Sequence, residues 1–246
     1  MFQPASLKGD SPTPVDERVR TKWAFLYYLI ILLSFLPCSL LEYWYVQVLW
    51  RPGSYGLFFL LLPLNAFVLI HLLQVSAILI ARIFLSLVNL LHAPREGTFK
   101  RDPADKDYLF WNVRNLVKKW PLFITASNPF PWWRNRFTLR FFGVKIGPRC
   151  ICDNSWISSE FVQIGKDVIL GMGSCVLSFG IEQDKLILKQ IVIEDGALIG
   201  AKCVLMPGSR MEKEAKLSAH SYVGHDQVLE QGLIYKGHPA EKMEET

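Results

Sequence analysis

The chain has 246 residues, enough for one or two domains, and half of it is apolar, which is high but short of a chain lying wholly in a membrane. Its formal net charge of +5 is unevenly spread: residues 94–142 hold ten Lys or Arg against four acids, whereas acids outnumber bases from Gly143 onward. The basic block beside apolar segments points to an anionic membrane face, the acidic C-terminal part argues against nucleic acid, and five cysteines make no disulfide framework.

Residues 1–22 are polar, with Pro4, Pro12 and Pro14, and read as a disordered or loosely held N-terminus. Trp23 to Leu41 is apolar and uncharged over about the 20 residues that cross a bilayer. Pro37 predicts a kink there, which membrane helices tolerate. The run is too long for a signal peptide, and no clean cleavage site follows. Trp44, Tyr45, Trp50, Arg51, Pro52 and Gly53 predict an aromatic, turn-rich link at the membrane–water boundary. Tyr55 to Ala81 is a second span, Arg82 interrupts it, and Ile83 to Leu91 continues toward the interface. Residues 23–93 thus predict a two-helix transmembrane hairpin. Lys8, Arg18, Arg20 and Lys22 precede it, Arg82, Arg95, Lys100 and Arg101 follow, and only Arg51 lies in the turn. The positive-inside tendency then places both ends in the cytoplasm, a multi-pass arrangement. His71, inside the second span, reads either as a functional group or as a neutral imidazole bonded within the hairpin or to a neighbouring subunit. Glu42 is expected near the interface.

Residues 94–142 form a basic interfacial linker. Leu109, Val113, Leu116, Val117 and Trp120 recur at helical spacing and predict an amphipathic helix over Asp107–Trp120, ended by Pro121. Arg114, Lys118 and Lys119 fall on the rest of the wheel. Such a helix either lies on the membrane or pads one end of the following domain. Asn128-Pro129-Phe130-Pro131-Trp132-Trp133, with Arg134, Arg136 and Arg140, suits an interfacial anchor or, alternatively, an acyl-chain or substrate groove. Phe141, Phe142 and Val144 are expected to cover an open end.

From residue 143 to 246 the chain has a six-residue period. Ile146, Cys152, Ser158, Ile164, Leu170 and Val176 recur in sixes, and the count restarts at Ile193, Ile199, Leu205, Met211, Leu217 and Val223. Small residues stand four after many of these anchors: Cys150, Ser174, Ala197, Cys203, Ser209, Ala215 and Ser221. A short fixed period of this kind predicts a parallel β-helix, with one side chain per face pointing inward. The break predicts that about eleven residues near Glu182 to Val192 leave the coil. Cys150, Cys152 and Cys203 read as small buried residues, and Cys150-Ile151-Cys152 has no second cysteine pair to complete a zinc site. Trp156 stands where a small residue is usual, so the first coil is irregular there or the ring faces a cleft. Asp153 and Glu160 are either solvated or able to bind an amine.

Ile199-Gly200-Ala201-Lys202-Cys203-Val204-Leu205-Met206-Pro207-Gly208, and Gly237-His238-Pro239-Ala240 with Lys242 after it, resemble the late coils of hexapeptide-repeat transferases. The resemblance implies a mainly β fold, a left-handed parallel β-helix, here preceded by a transmembrane α-helical hairpin and an amphipathic helix. Asp107-Tyr108, Trp111, Trp132-Trp133 and Phe142-Gly143-Val144-Lys145-Ile146-Gly147 are similar to membrane-anchored members, including C-terminal modules of poly-amino-acid (polylysine-type) synthetases. It implies an acyltransferase that moves an acyl group from acetyl-CoA or another acyl thioester to a hydroxyl or amine of a small-molecule or lipid acceptor. It also implies a homotrimer; with both ends of the hairpin cytoplasmic by the positive-inside tendency, the β-helix is expected on the cytoplasmic side of the lipid bilayer. In many members the excursion loop carries the catalytic histidine; here Glu182 to Lys189 has none, and Glu182 or Asp184 would serve as base only with a raised pKa. Of the histidines His71, His92, His220, His225 and His238, the late-coil pair His220 and His225 are the catalytic candidates. Ala201 and Ala219 match positions whose backbone lines the pantetheine arm, and Lys242 a basic residue near the nucleotide phosphates. No metal is expected: the His220-x4-His225 spacing is similar to γ-class carbonic anhydrases, but their third histidine is replaced by Asp184. The other alternative is a non-catalytic trimeric scaffold on the same fold.

Overall fold

A computed structural model describes residues 22–126, 128–130, 133–152 and 154–243. The N-terminal segment up to Thr21, Trp132 of the tryptophan pair and Asp153 lie outside them.

Two helices come first. Helix α1 (Ala24–Leu49) has 26 residues and α2 (Tyr55–Leu91) has 37; at 1.5 Å per residue they measure about 39 and 55 Å. Both are long and apolar enough to cross a membrane. Trp44 and Tyr45 are not in a link, as the sequence suggested, but inside α1. The helix continues because its neighbour satisfies it: the Tyr45 hydroxyl donates to the Phe58 carbonyl at 2.6 Å, and Asn65 donates to Glu42 at 2.8 Å. Glu42 is therefore held between the helices. Arg82 does not interrupt α2. In its last turns Ala81, Leu85 and Val88 join Ile30, Val113, Val117 and Phe142 in one buried cluster.

Strand β1 (Gly97–Lys100) leads to helix α3 (Lys106–Ala126). Asp105 caps it, accepting from the backbone nitrogens of Asp107 and Tyr108 at 2.9 and 3.2 Å. Pro121 does not end it. Proline removes one donor, but Pro121 is buried, the Thr125 hydroxyl donates to its carbonyl at 2.6 Å, and packing carries the helix one more turn. The helix is wedged between the apolar helices and the sheet domain: Val113 and Val117 face α1 and α2, while Tyr108 and Trp111 pack on Leu186 and Leu188. Arg114 and Lys118 are consequently not solvated. Their side chains are 2% and 0% exposed, and they reach Glu160 at 2.9 and 2.6 Å. Burial alone would raise the Glu160 pKa, but the charges of Lys118 and Arg114 outweigh it and hold the carboxyl below its ordinary value. Glu160 is thus a structural anchor rather than a free ligand for an amine.

The rest of the chain turns through three parallel sheets. Strands β2 (Lys145–Ile146), β4 (Val162–Ile164), β9 (Ile191–Ile193), β12 (Arg210–Met211) and β15 (Val228–Leu229) make one. Strands β3 (Trp156–Ile157), β6 (Cys175–Val176), β11 (Val204–Leu205) and β14 (Tyr222–Val223) make the second. Strands β5 (Ile169–Leu170), β10 (Leu198–Ile199), β13 (Lys216–Leu217) and β16 (Ile234–Gly237) make the third, closed by β17 (Ala240–Lys242) running antiparallel to β16. From β9 onward the chain visits the sheets in strict rotation, and each strand pairs with the one a full circuit later: Leu198 with Lys216, Val204 with Tyr222, Arg210 with Val228. All twelve anchors of the six-residue period are buried, and eleven of them share one continuous core. The exception is Ser158, buried but polar. Strand register puts Ile157, not Ser158, opposite Val176, so the first circuit is out of step by one residue and Trp156 points outward, 58% exposed.

The excursion is a β-hairpin, β7 (Phe179–Glu182) and β8 (Lys185–Leu188), extended by β1 into a three-stranded antiparallel sheet. Its boundaries differ from the predicted Glu182–Val192, because Ile191 and Val192 already belong to β9. The first circuit would expose unpaired carbonyls at its edge. A π-helical stretch, Trp133–Thr138, and the turn Leu139–Phe141 cover it. Arg134 donates to the Ser155 carbonyl at 3.2 Å, Arg140 to Ile146 at 2.5 Å, Arg136 to Cys150 and Asn135 to Cys152. These arginines cap the sheet domain. Leu139 and Val144 close the core, whereas Phe142 faces the helices.

Candidate functional site

Two places in the sheet domain bring predicted site residues together. The first is the corner that follows the third sheet. Gly171, Gly200 and Ser218 each end a strand there, and the next residues stack. A Cβ on Gly171 would stand 2.5 Å from the backbone nitrogen of Ala201, and one on Gly200 would run into that of Ala219. Only glycine lets successive turns approach this closely. His220 follows Ala219 with φ 57°, and its backbone nitrogen donates to the Ala201 carbonyl at 2.9 Å. Ala201, Ala219 and His220 therefore form one column, with Ala219 and the His220 imidazole exposed. No hydrogen bond or ion pair orients that imidazole among the described residues. Lys242 stands on β17, exposed and opposite Tyr235, on the closing edge of the sheet that leads into this corner.

The second place is made by the hairpin. His225 lies in the next turn, between β14 and β15, at a different corner from His220. Its imidazole sits under β7. Gly180 makes the room, since a Cβ there would stand 3.4 Å from the His225 Cε1. Glu182, at the end of β7, brings Oε1 to 2.9 Å from the His225 Nε2. This is an ion-pair approach rather than an aligned hydrogen bond. Both ring nitrogens are buried, and neither has a hydrogen-bond partner among the described residues. Lys189, after β8, pairs with Asp226 beside the histidine, and the Gln190 backbone nitrogen donates to Glu96 at 2.8 Å. The hairpin is thus tied to the coil on one side and to the helical linker on the other. A carboxylate within 2.9 Å of an imidazole is an arrangement that general acid–base chemistry uses.

The predicted pair His220 and His225 is accordingly divided. His220 joins the alanine column without an orienting group; His225 has an orienting carboxylate on another corner. Sequence reasoning weighed Glu182 as a base in its own right and missed its pairing with His225. The hairpin carries no usual turn motif: Gln183, φ 52°, takes the place where glycine or asparagine is common. Asp184 points its backbone elsewhere, its carbonyl accepting from Arg101 at 2.6 Å. Among the described residues no three His, Cys, Asp or Glu side chains gather as a metal site. His71 is bonded within the chain, its Nδ1 2.8 Å from the Phe67 carbonyl and its ring 4.3 Å from that of Phe67 and 5.5 Å from Trp133.

No protein-family model matches this chain, and no curated protein does. Among solved structures it is similar to a maltose O-acetyltransferase from Clostridium difficile 630, at 12% identity and TM-score 0.42 over 51% of this chain and 82% of that one. It is also similar to a hexapeptide-repeat acetyltransferase from Vibrio cholerae O1 biovar eltor complexed with acetyl coenzyme A, at 18% identity and TM-score 0.42 over 58% and 91%. A galactoside acetyltransferase in complex with coenzyme A matches at 15% identity and TM-score 0.42 over 53% and 80%.

Proposed function

We propose that the chain is a membrane-anchored acyltransferase with a left-handed β-helix, moving an acyl group from acetyl-CoA or another acyl thioester to a hydroxyl or amine. The observation that carries this reading is the approach of Glu182 to His225. A carboxylate delivered by an excursion onto an imidazole of the coil positions a general base. His225 takes the acceptor proton as the acceptor attacks the thioester carbonyl, Glu182 stabilises the imidazolium, and the proton passes to the departing thiolate as the carbon–sulfur bond breaks. The Ala201–Ala219 column, half-buried at Ala201 and exposed at Ala219, offers a wall of small side chains along which a pantetheine arm can run, ending near His220, and Lys242 offers a cation for the nucleotide phosphates. Those groups lie on a different corner from His225, so one chain does not assemble the whole site. A homotrimer, with the corner of one copy facing the hairpin of the next, completes it. The helices α1 and α2 hold the domain at the cytoplasmic face.

The test is binding and turnover in detergent. Acetyl-CoA at millimolar concentration is expected to raise the melting temperature of the purified protein. His225→Ala is expected to slow thioester consumption about 10²–10⁴-fold and Glu182→Gln about tenfold, with unchanged acetyl-CoA binding. Absence of any thermal shift overturns the reading. One observation favours the second reading, a non-catalytic trimeric scaffold: both nitrogens of His225 are covered. A scaffold would show neither the shift nor sensitivity to either substitution.

A further inference from the structure

A cavity of about 550 Å³ opens where α1, α3 and the first circuit of the sheet domain meet. It has the size of a small-molecule site. Its walls are apolar on all three sides: Tyr27 from α1, Leu122 and Phe123 from α3, and Trp156 with Ile157 from the sheet domain. Two of these rings are unusually open, Trp156 at 58% and Phe123 at 66%. The one-residue register slip in the first circuit is what turns Trp156 outward into this space.

The cavity also has a charge. Lys119 and Arg134 line it, and no acid does among the described residues. Each cation is placed over an aromatic wall: the Lys119 Nζ lies 5.6 Å from the Tyr27 ring centroid and the Arg134 guanidinium 5.3 Å from that of Trp156. Arg134 is fixed further by donating to Ser155 and Asn135. The neighbouring helical cations Arg114 and Lys118 are neutralised by Glu160, one turn round the helix from Lys119. Among the described residues the cavity's pair has no such carboxylate. An apolar chamber lined by two cations is complementary to an amphiphile with an anionic head.

Tyr27 brings α1, one of the two helices long and apolar enough to cross a membrane, into the wall of the chamber. We propose that this cavity binds an anionic phospholipid drawn from the membrane, with acyl chain against Leu122, Phe123 and Trp156 and phosphate between Lys119 and Arg134. The proposal rests on the reading that α1 and α2 span a bilayer, and not on the acyltransfer chemistry.

The experiment uses the full chain in detergent. Phosphatidylglycerol and phosphatidylcholine are titrated in turn, and retained lipid is counted by native mass spectrometry. Flotation of the same protein with vesicles reports the membrane reading separately. Wild type is expected to float and to hold phosphatidylglycerol about tenfold more tightly than phosphatidylcholine. Lys119→Glu, at an exposed position, is expected to lose that preference while floating and melting normally. Ala126→Trp, which fills the cavity from its rim, is expected to reduce retention of both lipids. A wild type that floats yet holds the two lipids equally, or a preference untouched by Lys119→Glu, overturns the cavity proposal and leaves the membrane reading intact. A wild type that does not float overturns both.

Discussion

Glu160 shows how much one side chain can hold. It joins α3 to the sheet domain through Arg114 and Lys118, and all three are taken from water. The partners pull in opposite directions. At Lys118 burial outweighs the carboxylate and lowers the pKa; at Glu160 the two cations outweigh burial. The carboxylate decides behaviour in acid, because its protonation removes the charge that Arg114 and Lys118 share. Glu160→Gln strands two buried cations and is expected to cost roughly 3–5 kcal/mol, read as a lowered denaturation midpoint in detergent. Adding Lys118→Met should recover part of that loss. The pH dependence follows from the depressed carboxyl: its stabilisation is complete above the ordinary value of 4.5 and is lost as pH falls through the lower folded value. Thermal melts from pH 6 downward should show that acid limb in wild type and lack it in the Glu160→Gln variant. None of this was visible in sequence, where Arg114 and Lys118 sit on the face of a helical wheel that normally meets solvent.

At the scale of elements, the coil is set by side-chain period and by close backbone approach. Gly171 and Gly200 matter because each lies directly under the next turn. Gly171→Ala would place a methyl 2.5 Å from the Ala201 nitrogen and is expected to destabilise by about 1–3 kcal/mol, or to part the turns and weaken acetyl-CoA binding with little loss of stability. Thermal melts with and without acetyl-CoA separate the two; unchanged stability and unchanged binding would contradict the stacking. The period itself was fully legible, down to the buried small-residue column. The first circuit was not. Its one-residue slip falls where Asn135 and Arg134 of the π-helical cap donate to the carbonyls of Cys152 and Ser155, partners that the repeat itself does not reveal. The hairpin was legible as an interruption of known length, but its partner β1 lies on the far side of α3 in sequence and could not be read locally.

At the scale of the whole molecule, α2 outruns α1 by about 16 Å at 1.5 Å per residue. Helix α3 docks along α2 from Gln74, which donates to the Ile124 carbonyl at 3.1 Å, to Ala81, Leu85 and Val88, which meet Val113 and Val117, so packing ties α3 to the helices. On the proposed reading, in which the His220 corner of one copy faces the His225 hairpin of the next, light scattering in detergent is expected to give the mass of three chains. A monomer that still consumes acetyl-CoA would contradict that arrangement.

Sequence by itself determined the two apolar helices, the three-sided period, and the point where the chain leaves it. These depend on local spacing and composition, which act within a few residues. Tertiary structure alone decided that Glu182 meets His225, that Arg114 and Lys118 are buried on Glu160, that three arginines close the coil, and that a charged apolar chamber opens beside Trp156. Each of these is a contact between residues remote in the chain, and its energy exists only once packing has removed water from between them.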